Sequence, residues 1–165
     1  MNIIRIFVLS VTALSLHLSL TTAPAKADEL SVGLGVFDVL DDEKSMSIRA
    51  EYRFDYSPLL GIKPLIGVET STDAAFHGFA GLYRDFYLND HVYLTPSFVG
   101  GGYANGHGPD LNHYIQFRSM VELGYKFNDE YRMSLGLSHT SNGNLGDEGN
   151  SGTEAAALYI HRGWP

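Results

Sequence analysis

From Met46 to Tyr56 the chain alternates without a break. Met46, Ile48, Ala50, Tyr52, Phe54 and Tyr56 fall on one side, and Ser47, Arg49, Glu51, Arg53 and Asp55 on the other. A strand points successive side chains to opposite faces, so this segment reads as a strand with one greasy and one charged face. The same pattern returns at 113–127, where Ile115, Phe117, Val121, Leu123, Tyr125 and Phe127 oppose Gln116, Arg118, Glu122 and Lys126. In a soluble sandwich the apolar face would be the core and the charged face wet. In a small membrane barrel the sides reverse, with the apolar face in lipid and charges of both signs paired inside.

Eight such segments are expected, at about 29–40, 44–56, 60–71, 74–88, 91–104, 113–127, 131–142 and 153–164. They reach the ~9–11 residues that a tilted strand needs to cross a bilayer. Tyrosine and phenylalanine crowd their ends, as in an interfacial aromatic belt. Tyr87–His91 and Phe127–Tyr131 are tight links suited to periplasmic turns, while 104–112 and 142–152 are longer, glycine-rich and suited to outer loops. Upstream, a short basic start, an apolar run from Ile6 to Leu20 and Ala25-Lys26-Ala27 have the form of a secretory signal cleaved before Asp28. The expectation is an all-β chain: signal peptide 1–27, then an eight-stranded antiparallel transmembrane β-barrel over 28–165, in the outer membrane.

The chain has no cysteine, which excludes disulfides, thiol catalysis and thiolate metal sites. Its formal net charge of −8 argues against nucleic acid as a partner. No glycine-rich phosphate loop leads from a strand into a helix, so a nucleotide site has no support.

The seventh segment carries the chemistry. Met133, Leu135, Leu137, His139 and Ser141 share a face, so a greasy surface ends in a histidine and a serine. Setting His139 opposite Glu154 in antiparallel register places Ser141 by Gly152, Leu137 by Ala156, Leu135 by Leu158 and Met133 by Ile160, all on the apolar side. A serine hydroxyl needs a neighbouring base to act as a nucleophile, and a carboxylate can fix the tautomer of a histidine that serves as that base. Neighbours on one strand face lie roughly 7 Å apart, twice the rise of ~3.3 Å per residue, a gap that rotamers can close. Asp147 and Glu148 are further acids within reach of His139.

His139-x-Ser141-Asn142 at the end of the penultimate strand, then a glycine-rich loop and a glutamate, resembles the lipid A 3-O-deacylases (PagL), eight-stranded outer-membrane barrels. The resemblance implies His139 as general base, Ser141 as nucleophile and Glu154 as the orienting acid. It also implies Asn150 as the asparagine of the oxyanion hole. Asn142 has either a supporting or a turn-shaping role. The expected activity is hydrolysis of the 3-O-linked acyl chain of lipid A in lipopolysaccharide, in contact with outer-membrane lipid and toward the outer leaflet. No metal or cofactor is needed, and assembly as a homodimer is left open.

Two other readings stand beside it: a non-catalytic barrel with a structural or surface-binding role, and a soluble periplasmic barrel holding an apolar ligand. His77, His91, His107, His113 and His161 lack comparable company and read as structural or loop residues. Arg49, Glu51, Arg53, Glu69, Arg118 and Glu122 read as a satisfied barrel interior rather than an active site.

Overall fold

The computed structural model describes residues 28–40, 44–146 and 152–164, so the expected signal segment lies outside the described residues. Among these, nine antiparallel strands follow in chain order. They are β1 (Asp28–Phe37), β2 (Ser45–Arg53), β3 (Lys63–Ser71), β4 (Phe76–Tyr83), β5 (Phe86–Tyr87), β6 (Val92–Ala104), β7 (Ile115–Lys126), β8 (Tyr131–Ser141) and β9 (Thr153–Trp164). β1 pairs with both β2 and β9, and β4 pairs with β6, so the sheet closes on itself. β5 only prolongs β4 along the same neighbour, and the wall therefore has eight staves.

The expected fourth strand, 74–88, is thus divided, and a proline explains the gap. Tyr83 pairs with Ser97 and Phe86 with Leu94, which leaves Arg84 facing Pro96 in unbroken register. Arg84 N–H donates to the Pro96 carbonyl at 3.2 Å. Proline has no N–H to return that bond, and the ladder lapses for two residues. The first strand stops at Phe37 rather than residue 40, because Asp38 takes a left-handed φ of 60°.

One end of the barrel carries two near-identical turns. Asn89 Oδ1 accepts the N–H groups of His91 and Val92, and Asn128 Oδ1 accepts those of Glu130 and Tyr131. Asparagine closing its own turn two residues on is ordinary turn chemistry. Exposed Tyr87, Tyr125, Phe127, Tyr131 and Trp164 ring this end as an aromatic girdle. The segments 105–114 and 142–146 both lie at the opposite end.

The wall sorts side chains as the alternation required. Leu34, Met46, Ile48, Leu82, Val121, Leu123, Leu135, Leu137, Leu158 and Ile160 are exposed on the outside. Inside, Arg49 meets Glu69 through two bonds of 2.7 Å. Arg53 bridges Glu51 at 2.7 Å and Glu122 at 2.5 Å, and Arg118 reaches the other oxygen of Glu51 at 2.8 Å. Toward the girdle, Arg132 holds Glu29 at 2.6 Å. His161 spans Ser31 and Ser134 at 2.6 and 2.7 Å. The interior charges are therefore paired and the apolar surface faces outward, the arrangement of a lipid-embedded barrel. The soluble-barrel alternative requires the reverse.

Two tyrosines fit this narrow lumen where glycine makes room. A Cβ on Gly33 or Gly136 would come within 2.5 or 2.8 Å of the Tyr159 ring, and one on Gly124 within 2.1 Å of Tyr93. Tyr93 and Tyr159 thus follow one rule: a ring on one strand requires a gap on the next.

Two substitutions probe the two faces. Leu135→Lys puts a charge into hydrocarbon and should cost about 2–4 kcal/mol if it sits near the midplane. Glu51→Ala strips a carboxylate from two buried arginines and should cost about 3–5 kcal/mol. Urea unfolding in phospholipid vesicles, followed by the fluorescence of Trp164, reads both. A Glu51→Ala barrel as stable as wild type would mean that the interior is wet enough to solvate arginine.

Candidate active site

β8 and β9 meet in the register that sets His139 opposite Glu154, with Leu137 by Ala156, Leu135 by Leu158 and Met133 by Ile160. All of these point outward. The ladder ends at Thr140–Thr153, one step short of the expected Ser141–Gly152 pair. Gly152 takes a φ of 82°, which turns the chain out of the strand.

His139 Nδ1 lies 2.9 Å from Glu154 Oε1. A carboxylate accepts, so Nδ1 carries a proton, and in the neutral imidazole Nε2 is then the nitrogen with the free lone pair. The pair is partly open, with side-chain exposures of 46% and 35%, on the outer wall at the end with the long loops. Ser141 stands two residues further along the same face. Among the described residues no hydrogen bond joins Ser141 to His139, and rotation about side-chain bonds must close that link. Catalytic contacts often tighten only when substrate is bound.

Glu154 is held on its other side as well. Its carbonyl accepts the Val39 N–H at 2.8 Å, and the neighbouring Thr153 hydroxyl donates to buried Asp38 at 2.6 Å. The first loop thus clamps the start of β9. Asn142 faces the opposite way from Ser141 and is fully buried. Its amide nitrogen donates to the Leu111 carbonyl at 3.2 Å, and its oxygen accepts the Asn144 N–H at 2.8 Å. These bonds tie the 142–146 loop to the 105–114 loop. Asn150, Asp147 and Glu148 lie outside the described residues.

Two contacts were not expected. Gly152 sits against the His139 ring: a Cβ there would fall 2.4 Å from Cε1 and 2.8 Å from Nε2. Ser119 of β7 is the cross-strand partner of His139 on the other side. Its signal was present in the sequence, since it interrupts the outward series Ile115, Phe117, Val121, Leu123. Beside the pair, an apolar depression of about 550 Å³ runs over the outer wall between Leu40 and Pro96.

Two of the other histidines are tied into the wall and its loops. His161 is enclosed in the lumen, and His113 Nδ1 accepts the Ile115 N–H at 3.0 Å.

Gly152→Ala tests how tightly the ring is seated. The new methyl group meets the imidazole in a backbone conformation that alanine resists. Hydrolytic activity should fall at least tenfold while the barrel keeps its heat-modifiable gel mobility. Unchanged activity would mean that the ring can occupy a second position without consequence.

Several solved structures share the fold. The crystal structure of the outer membrane enzyme PagL superposes with a TM-score of 0.61 at 15% identity, covering 81% of this chain and 98% of that one. A de novo designed transmembrane β-barrel gives 0.56 at 10% identity, with 85% and 98% covered. The Yersinia pestis outer membrane protein Ail gives 0.51 at 9% identity, with 83% and 99% covered. No curated protein matches the sequence. The family described as lipid A 3-O-deacylase (PagL) matches residues 46–162, well over half of the chain and inclusive of the whole β8–β9 site. This outer-membrane β-barrel therefore belongs to the lipid A 3-O-deacylase (PagL) family.

Proposed function

We propose that the protein is a serine esterase that removes the 3-O-linked acyl chain of lipid A from within the outer membrane. The observation that carries this reading is the 2.9 Å His139–Glu154 pair, on the lipid-facing wall and on the same face as Ser141. A soluble hydrolase would keep such a group in a cleft. Here it is presented where a lipid can reach it without leaving the bilayer.

In this mechanism Ser141 Oγ attacks the ester carbonyl as His139 Nε2 takes its proton. Glu154 holds the ring in the required tautomer and stabilises the imidazolium. Collapse of the tetrahedral intermediate expels the sugar hydroxyl, which receives the proton from His139. Water, activated by the same nitrogen, then releases the fatty acid from Ser141. Asn150, four residues before Glu154, is assigned to the developing oxyanion, where one well-placed donor contributes on the order of 10²–10³ in rate.

Ser141→Ala and His139→Asn should each reduce deacylation by on the order of 10⁴-fold or more, since members of such a triad act as a unit. Glu154→Ala should slow the reaction strongly yet leave a residue of activity, because the base survives without its orienting partner. Mass spectrometry of lipid A from cells expressing each variant reads the loss of the 3-O-acyl group. Full activity in Ser141→Ala would remove the triad, and a dead Glu148→Ala beside an active Glu154→Ala would reassign the acid.

A further inference from the structure

Three links join strands at the girdle end, and one is unlike the other two. Those at 88–91 and 127–130 are short and polar, each closed by its asparagine, Asn89 or Asn128. The link 54–62 is longer, and Tyr56, Leu59 and Leu60 stand exposed on it, the two leucines at 65% and 69%. Its tip is a two-residue turn. Ile62 N–H donates to the Leu59 carbonyl at 3.0 Å, and Leu60 and Gly61 take φ of 54° and 74°. A turn that is left-handed at both central positions favours Asn-Gly. Leucine is a poor occupant, because a bulky side chain resists that conformation. An apolar side chain held at this tip, against backbone preference and against water, points to an apolar surrounding.

Arg84 shows where the turn stands. Lys63 pairs with Tyr83, and both line the mouth of the lumen. Ile62 and Arg84 come next in register, so alternation turns them to the lipid side, in line with Pro64 and exposed Leu82. The Arg84 guanidinium lies 4.6 Å from the centroid of the Phe86 ring, toward the girdle. A Cβ on Gly61 would stand 3.6 Å from its Nε. The turn therefore leans over Arg84 on the outside of the wall. Asp85 points inward and is held by Lys63 and Arg132, while Asp55 is bonded to Lys63. Among the described residues no carboxylate forms an ion pair with Arg84.

We infer that Arg84 and the Leu59–Gly61 turn form a binding site for an anionic phospholipid of the inner leaflet, at the opposite end of the barrel from His139. The guanidinium fork takes the headgroup phosphate, which it matches with two parallel N–H bonds. Its stem lies along the apolar wall and its head reaches the interface. Leu59 and Leu60 enter the upper acyl region beside that lipid. Net charge selects the headgroup. A choline or ethanolamine lipid brings its own cation beside the guanidinium, whereas a glycerol headgroup does not. A periplasmic protein is a poorer fit, because it would have to reach a turn that lies on the lipid side of the wall. Arg162 on β9 repeats part of the arrangement, 5.8 Å from the Tyr131 ring, but no apolar turn is known to lean over it.

The test uses one fluorophore at the tip. Trp164 is the single tryptophan, so Leu60→Trp in a Trp164→Phe background reports from the turn alone. The barrel is folded into phosphatidylcholine vesicles that contain equal small fractions of brominated phosphatidylcholine or brominated phosphatidylglycerol. Both lipids should quench the tryptophan, and the phosphatidylglycerol about twofold or more strongly. Arg84→Gln should bring the two to parity while heat-modifiable mobility is kept. Should Leu60→Trp fail to assemble, Leu59→Trp reads the same turn. Equal quenching with Arg84 in place, or a preference that survives Arg84→Gln, would overturn the site. Quenching by aqueous acrylamide and by neither bromolipid would overturn it as well, and would leave the turn to a partner in the periplasm.

Discussion

Closure of the sheet between β4 and β6 is the constraint on which the rest depends. In hydrocarbon an unpaired backbone N–H or C=O has no water to turn to, so an open edge cannot be left there. With the ring closed, β1 to β9 satisfy one another, and each side chain has only two directions available. Those pointing out must tolerate lipid. Those pointing in share a lumen so narrow that charges have to meet: Glu51 lies between Arg53 and Arg118, and Glu122 is bonded to Arg53 and to Ser134. The interior network is thus a consequence of closure, and its pairing explains why no channel is needed to account for buried arginine.

A wall this regular is a good mount for a reactive group. His139 and Glu154 come from neighbouring staves locked by a continuous ladder from Tyr131–Arg162 to Thr140–Thr153. A one-residue slip would send both into the lumen and every leucine of β8 with them. The register that hides the charges therefore also fixes the pair at the surface. The loops complete the seating: Val39 and Asp38 hold the start of β9, Asn142 fastens its own loop to Leu111, and Gly152 leaves space for the imidazole.

The similarity to PagL, to a designed barrel and to Ail at 9–15% identity shows how little sequence the architecture demands. Alternation, turn chemistry and a paired interior suffice, and a designed chain can supply them without any function. The family match over residues 46–162 carries different information, because it depends on particular residues and spans the His139–Glu154 hairpin. Fold and activity are separate inferences here, as they are for any widely used architecture.

The sequence by itself determined the barrel. Period-two alternation with mixed charges on one face left few other homes for residues 46–56, and tight Asn-Asp turns against long glycine-rich loops set the strand order and its polarity. It also determined that Leu135, Leu137, Leu158 and Ile160 share the outer face with His139. A slip of two residues would keep those faces, so the pairing of His139 with Glu154 is settled by the ladder itself. The tertiary structure decided what depends on neighbours distant in the chain. Pro96 breaks the ladder of a strand it merely faces, and Asn142 turns inward because Leu111 offers its carbonyl there. Ser119 lies beside His139 although 20 residues separate them in the sequence. Periodicity fixes the face on which a side chain stands. Which residue of the next strand stands beside it is settled only when the ring closes and every register is set at once.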